Sequence, residues 1–183
     1  MNNLEERFDL LQRRIFDEDF LYRNKTIIPY FLFVYSPDKE QYINKQIEEL
    51  VDNAKSKGKE FRIINLFDLF LHIFESDVDH LIKMEKEAGT QEVLEAIEPI
   101  LDDRETVVEA FESISEGAEV VLLNGIGTAY PFLHISGLLD RLSVSGYLKP
   151  IIAFYPGTFN GMELSLFNRS DIIEDEYQIY VIA

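Results

Sequence analysis

A nearly continuous apolar run at residues 26–35 constrains the fold more than any other feature of this chain. Aromatic and β-branched side chains dominate the run, which is typical of a strand covered on both faces in a parallel sheet. Ser36 and Pro37 follow, and this pair is typical of a helix start. Apolar residues then recur at helical spacing as far as Gly58, and residues 60–65 predict a second short strand. The order of these elements predicts a βαβ unit with a right-handed crossover.

The rest of the chain extends this pattern. The spacing predicts an amphipathic helix over about residues 3–16, and four helices without a strand between residues 66 and 117. Three further strands are predicted at residues 119–123, 150–155 and 177–182. We therefore predict one α/β domain over residues 1–183. It has a mainly parallel, Rossmann-like or RecA-like sheet of about five strands, helices on both faces, and a helical insertion with an acidic, solvated outer face at residues 66–117.

The charge of the chain excludes several classes of function. Its 183 residues include 34 Asp and Glu against 17 Lys and Arg, which gives a formal net charge of −17. DNA repels such a body, and the local basic residues are explained by solubility and helix ends, so we expect no direct nucleic-acid binding.

The chain has no Cys, which excludes disulfides and thiolate zinc sites. No apolar run approaches the roughly 20 residues that span a bilayer. We expect a cytoplasmic protein without membrane contact.

No motif in the sequence predicts catalysis. The turn after the first strand, residues 35–38, lacks the glycines and the lysine of a phosphate loop, and Asp38 stands where an anion would approach. The three histidines lack metalloprotease spacing, no serine lies in a nucleophile elbow, and the acidic clusters lack the calcium-loop pattern. We therefore predict no catalytic residue, no metal and no cofactor, and we expect that the protein is not an enzyme.

Two loops follow the third and fourth predicted strands, at residues 124–128 and 155–169. Because ligands and partners meet the carboxyl ends of parallel strands, we expect these loops to border one crevice if the two strands are neighbours. Tyr130 replaces the third glycine of a dinucleotide fingerprint, which leaves a tight turn or an anion site as interpretations of the Gly-Ile-Gly sequence. The candidate residues of this crevice for a partner or a ligand are Asn124, Gly125, Gly127, Thr128, Tyr130, Tyr155, Gly157, Asn160, Ser165 and Arg169.

Sequence blocks in these two loops resemble a known family. LNGIGTAYPF at residues 123–132, FYPG at 154–157 and GMELSLF at 161–167 are similar to blocks of the BrxB family of bacteriophage exclusion (BREX) systems. The N-terminal helix, the strand at residues 29–35 and INLFDLF at 64–70 also resemble that family. The resemblance covers nearly the whole chain in order.

The resemblance implies a bacterial or archaeal cytoplasmic protein encoded in a phage-defence operon. Its neighbours would be an alkaline-phosphatase-superfamily protein, a large ATPase and an adenine-specific DNA methyltransferase. No catalytic residue is implied. We therefore expect a non-enzymatic accessory or adaptor component that assembles or regulates these partner proteins. The alternative is a degenerate nucleotide- or anion-binding protein, a sensor or an enzyme, whose site lies at the carboxyl ends of the third and fourth strands.

Overall fold

The computed structural model describes residues 4–22, 29–174 and 180–181. The predicted strand positions 26–28, 177–179 and 182 lie outside these described residues. The helices are α1 (Leu4–Ile15), α2 (Glu18–Tyr22), α3 (Glu40–Ser56), α4 (Leu66–Ile73), α5 (Val78–Ala88), α6 (Thr90–Asp102), α7 (Arg104–Ile114), α8 (Ile126–Ala129) and α9 (Ile135–Ser145). The strands are β1 (Tyr30–Tyr35), β2 (Phe61–Asn65), β3 (Val120–Asn124), β4 (Ile151–Phe159), β5 (Leu164–Leu166), β6 (Ile173–Glu174) and β7 (Tyr180–Val181).

Five strands form a parallel sheet in the order β2-β3-β4-β1-β7. The central strand is β4, and its pairing with β1 aligns Tyr30 with Ile151 and Tyr35 with Pro156. The predicted α/β fold with a mainly parallel sheet of about five strands is confirmed. The third and fourth predicted strands, β3 and β4, are neighbours in this sheet. From β1 the chain continues to β2 at one side of the sheet, whereas from β4 it continues to β7 at the other side. The connections that leave β1 and β4 therefore run in opposite directions along the sheet, so the strand order reverses between these two neighbouring strands.

Both faces of the sheet are covered by helices. Phe31 and Phe33 of β1 pack on one face with buried side chains of α1 and α3. Leu32 and Val34 pack on the other face with buried side chains of α4, α6, α7 and α9. Successive strand residues point to opposite faces, so a strand buried on both sides needs an unbroken apolar sequence. All six residues of β1 are buried, which is the physical reason for the apolar run.

The helices between β2 and β3 connect these two strands across one face. α7 buries Val107, Val108 and Phe111 in the same core as the strand residues Val121 and Leu123. α6 contributes three further buried side chains, whereas none of the eleven described residues of α5 is buried. α5 therefore forms the outermost part of this helical layer. Among the described residues, no helix is both long enough and apolar enough to cross a membrane.

The prediction that the fourth strand ends at Pro156-Gly157 and is followed by a loop is wrong. β4 continues to Phe159, and the chain returns as β5, which pairs antiparallel with β4 and with β6. The backbone carbonyl of Pro156 accepts a hydrogen bond from the amide of Phe167 at 2.9 Å. Pro156 and Gly157 do not break the strand because they lie where the parallel sheet gives way to this antiparallel ribbon.

The chain between β3 and β4 forms a short helix before a longer one. α9 starts at Ile135, and the one-turn helix α8 precedes it. Tyr130 and His134 both have extended backbones, with ψ of 135° and 137°. Proline disfavours a helical conformation in the residue before it, so Tyr130 ends α8, and His134 then becomes the N-cap of α9.

Candidate functional site

Asn124 and Gly125 hold the ends of neighbouring elements together. The side-chain amide of Asn124 donates to Asn44 Oδ1 at 3.1 Å, which ties the end of β3 to α3. Asn65, the residue paired with Asn124 on β2, caps α4 by accepting backbone amide hydrogen bonds at 2.9 and 3.3 Å. Gly125 has a φ of 70°, and a Cβ at this position would lie 2.4 Å from the Asn65 side chain. A glycine is therefore required here for both the backbone conformation and the close approach.

Gly127 lies beneath an aromatic ring. A Cβ on Gly127 would lie 2.6 Å from the ring of Phe167. Phe167 and Asn168 have φ values of 54° and 60°, and the amide of Arg169 donates to the carbonyl of Leu166 at 3.0 Å. These are the features of a tight turn with two left-handed central residues, which is unusual for a side chain as large as phenylalanine. Packing of Phe167 thus accounts for the second glycine of the Gly-Ile-Gly sequence.

Three other candidate residues lie close to this turn in different surroundings. Tyr155 is fully buried in the core, so its side chain does not line an open crevice. Gly157 allows β5 to approach, because a Cβ at this position would lie 2.1 Å from the carbonyl oxygen of Ser165. Thr128, on α8, is exposed.

The remaining candidates lie further along the ribbon or on its surface. Asn160 shapes the turn between β4 and β5, where its Oδ1 accepts backbone amide hydrogen bonds at 2.9 and 2.8 Å. Arg169 makes two hydrogen bonds to the carboxylate of Asp171, and this pair raises the arginine pKa and lowers that of the aspartate. Tyr130 packs edge-on against His134. The candidate residues therefore take part in several separate contacts, and their role in binding stays a prediction.

A cavity that the sequence did not predict lies one strand further along the sheet. It opens at the carboxyl ends of β1 and β4, where the strand order reverses, and ligands of open α/β sheets bind at such a reversal. Its volume is about 370 Å³. Gly157 is the one candidate residue on its wall, which is formed by Arg7, Val34, Tyr35, Ser36, Gly157, Thr158, Phe159 and Asn168.

Arg7 is the charged residue of this cavity that sequence reasoning missed. Its Nη2 donates to the carbonyl of Val34 at 2.5 Å, and its guanidinium carbon lies 4.8 Å from the ring centre of Phe33. Burial lowers the pKa of Arg7. A signal for it was present, because Arg7 stands between Leu4 and Phe8 on the apolar face of α1, where a basic residue is out of place.

The helical layer between β2 and β3 concentrates the negative charge of the protein. Residues 75–119 hold fifteen Asp and Glu but three Lys and Arg, a net −12 of the chain's −17. All fifteen carboxylate side chains belong to exposed residues. Ion pairs join Lys83 to Glu87 at 3.9 Å and Arg141 to Asp102 at 3.7 Å. We call residues 75–119 the acidic layer.

A second cavity, of about 300 Å³, indents the acidic layer between α6 and the segment before α9. We call it the α6 groove. Its floor is apolar and its α6 rim is acidic, since Glu95, Glu98 and Asp102 recur at the spacing that places side chains on one helix face. The lining residues are Gln91, Leu94, Glu95, Ile97, Glu98, Leu101, Asp102, Pro131, Phe132 and His134. In the parts of the chain that the structure describes, no group of three or more His, Asp or Glu is placed to hold a metal ion.

The fold and these surfaces define a three-layer α/β protein with a strongly acidic helical side. The family model described as "BREX protein BrxB" matches residues 62–180. A "BREX protein BrxB" of Bacillus cereus (strain H3081.97) is 27% identical over 186 residues, covering 97% of this chain and 95% of that protein. A protein of the same description from Escherichia coli O9:H4 (strain HS) is 24% identical over 167 residues, covering 88% and 83%. No solved structure matches. The chain belongs to the BrxB family, as the resemblance indicated, and is a BREX-system component.

Proposed function

We propose that the protein is a non-enzymatic adaptor that assembles or regulates other BREX proteins in the cytoplasm. The acidic layer carries this proposal, because fifteen exposed carboxylates within 45 consecutive residues repel one another unless a binding partner offsets the charge. Charged surfaces of this kind speed the encounter with an oppositely charged protein surface and disfavour wrong partners. The partners that we propose are the alkaline-phosphatase-superfamily protein, the large ATPase and the methyltransferase.

The geometry at the strand ends gives little support to a nucleotide or anion site there. The Phe167 ring lies against Gly127, where an anion would meet the backbone of the Gly-Ile-Gly turn. At the end of β1, Ser36 Oγ donates to Asp38 Oδ1 at 2.5 Å. A carboxylate therefore stands beside the cavity at the carboxyl ends of β1 and β4, since Ser36 lies on its wall. We therefore expect neither ATP nor inorganic phosphate to raise the melting temperature. A rise that Gly127→Val abolishes would favour the alternative function.

Co-expression with each of the three partner proteins tests the adaptor function. We expect at least one of them to co-purify with the tagged protein at about 0.05 M salt and to dissociate at about 0.5 M, where charges are screened beyond a few ångströms. Glu109→Gln combined with Glu112→Gln should weaken that association, because both carboxylates belong to the acidic layer. Glu48→Gln combined with Asp52→Asn, two exposed acids of α3, is the matched control. If none of the three proteins co-purifies at low salt, the result would contradict an adaptor role.

A further inference from the structure

We propose that the α6 groove is a docking site for a basic, amphipathic segment of another protein, which inserts an apolar side chain between α6 and the segment at residues 131–134. The inference rests on the proposed adaptor function and specifies where on the acidic layer a partner binds. It is carried by the combination of an apolar cavity floor with an acidic rim.

The floor of the groove can accept an apolar side chain. Ile97 and Leu101 of α6 are buried, and Leu94 and Phe132 are partly buried. Phe132 is fixed from behind by Phe70, with ring centres 5.3 Å apart and nearly parallel rings, so this wall is preformed. A volume of about 300 Å³ is at the lower end of the range for binding pockets. An aliphatic or aromatic anchor of a partner would remove Leu94 and Phe132 from water.

The rim selects the charge of the occupant. Asp102 already pairs with Arg141, and Glu95 accepts a hydrogen bond from Gln91 at 3.1 Å. Glu98 has no ion-pair partner among the described residues, and it stands on the same wall of the groove. Lysine or arginine flanking the apolar anchor would offset this carboxylate and the field of the layer around it.

The shape of the groove favours a polypeptide segment of another protein over a small molecule or a second copy of this chain. Its α6 wall extends from Gln91 to Asp102, which is about three helical turns or roughly 16 Å. A second copy would bring its own acidic layer, with a net −12, to the same surface. Repulsion between the two layers disfavours that arrangement.

Peptide binding to the full chain tests the groove directly, because a synthetic peptide can stand in for the partner segment. The probe is a fluorescent peptide with leucines at helical spacing and lysines elsewhere, and the comparison peptides are its scrambled sequence and a version with glutamate in place of lysine. Fluorescence anisotropy should show tighter binding of the first peptide than of both others. Leu94→Gln should weaken it by about fivefold or more, and Glu98→Gln by about threefold at low salt.

Two control variants separate the groove from the acidic layer in general. Ile82→Gln removes an apolar side chain that is 46% exposed on α5, and Glu109→Gln removes a carboxylate on α7; both lie outside the groove. Neither should change peptide affinity by more than about twofold. Equal effects of groove and control variants, or absence of preferential peptide binding, would overturn the proposal. Self-association of the protein that Leu94→Gln abolishes would assign the groove to a second copy and would also overturn it.

This outcome is independent of the co-purification experiment. A BREX protein can co-purify in a salt-sensitive manner while the groove variants change neither that co-purification nor peptide binding. In that case the adaptor function stands and the groove is not its docking site. If the groove binds the peptide but no BREX protein co-purifies, the groove is a docking site and the adaptor function is contradicted.

Discussion

At the residue scale, the surroundings of two glycines predict opposite effects of the same substitution. A Cβ on Gly157 would lie 2.1 Å from the backbone oxygen of Ser165, which cannot move without separating β4 from β5. A Cβ on Gly137, inside α9, would meet only the flexible end of Arg141, at 2.7 Å. Gly157→Ala should therefore lower the free energy of unfolding by about 1–3 kcal/mol. Gly137→Ala should raise it by about 0.5–1 kcal/mol, because alanine is the better helix former.

Urea denaturation of the two variants and the wild-type protein measures both changes. The comparison is matched, because each variant adds one methyl group to a glycine. Equal stability of Gly157→Ala and the wild type would show that the ribbon does not pack closely against β4.

The sequence predicted the local surroundings of some candidate residues but not the distant residues that contact them. Gly125 and Gly127 were correctly placed after a strand, whereas Asn124 is the last residue of that strand. That Phe167 would cover Gly127 depends on a contact between residues forty positions apart. Local propensity holds no information on such a contact. Arg7 stood out as a basic residue on the apolar face of α1, but the cavity that it lines forms only when α1 packs on the sheet beside β1 and β4.

At the element scale, the burial of the helices predicts how readily each of them opens. None of the eleven described residues of α5 is buried, whereas α7 buries three in the core. Few buried apolar contacts mean a low free energy of local opening. The amides of α5 should therefore be less protected from deuterium exchange than those of α7, once each exchange rate is corrected for its intrinsic value.

Hydrogen–deuterium exchange with mass spectrometry measures the difference, since the two helices have equal lengths of eleven residues. α7 serves as the internal reference, because its exchange requires the core itself to open. Equal protection of α5 and α7 would mean that the helical layer opens as one unit.

The elements of the parallel sheet were predictable because each has its own periodic signal. The apolar run of β1 and the helical spacing of α3 reflect burial on two faces and on one face, respectively. The antiparallel ribbon was not predicted, since β5 and β6 are three and two residues long and follow a Pro-Gly pair that usually marks a turn. The α6 groove was not predicted either, because its walls come from segments about thirty residues apart in the sequence.

At the scale of the whole molecule, buried tyrosines make stability depend on alkaline pH. Burial raises the pKa of Tyr30, of Tyr35 and of Tyr147, and the hydrogen bond to Glu40 adds to the effect at Tyr35. In the unfolded chain a tyrosine titrates near pH 10. The folded values are higher, so the stabilisation is fully present below about pH 10 and is lost as the pH rises above it.

Urea unfolding at about pH 8 and about pH 11 measures that loss. The double variant Tyr30→Phe with Tyr35→Phe should lose less stability between the two pH values than the wild type, because two of the raised groups are gone. Tyr130→Phe, at a partly exposed position, is the matched control. An identical pH dependence of the double variant and the wild type would argue against burial of the two hydroxyls.

The uneven distribution of charge predicts that salt stabilises the free protein. A net −12 within residues 75–119 is a source of self-repulsion, and raising the ionic strength from about 0.01 M to 0.15 M shortens the screening length from roughly 30 Å to 8 Å. The melting temperature should therefore rise with sodium chloride over this range. It should rise less in Glu109→Gln combined with Glu112→Gln than in Glu48→Gln combined with Asp52→Asn.

Circular dichroism at constant pH measures this melting temperature, and an uncharged osmolyte controls for general solute effects. A melting temperature that is independent of salt in the wild type and in both double variants would mean that the carboxylates of the acidic layer do not destabilise the free protein.

The position of β1 between β4 and β7 has a consequence for how the protein is made. β1 leaves the ribosome early, but both of its neighbours, β4 and β7, are translated more than a hundred residues later. A nascent chain therefore carries this fully buried strand without a partner strand while the intervening residues are synthesised. β1 can pair within the sheet only after β4 has been translated, so protection of that segment in the meantime falls to chaperones or to α1 and α3 packed against it.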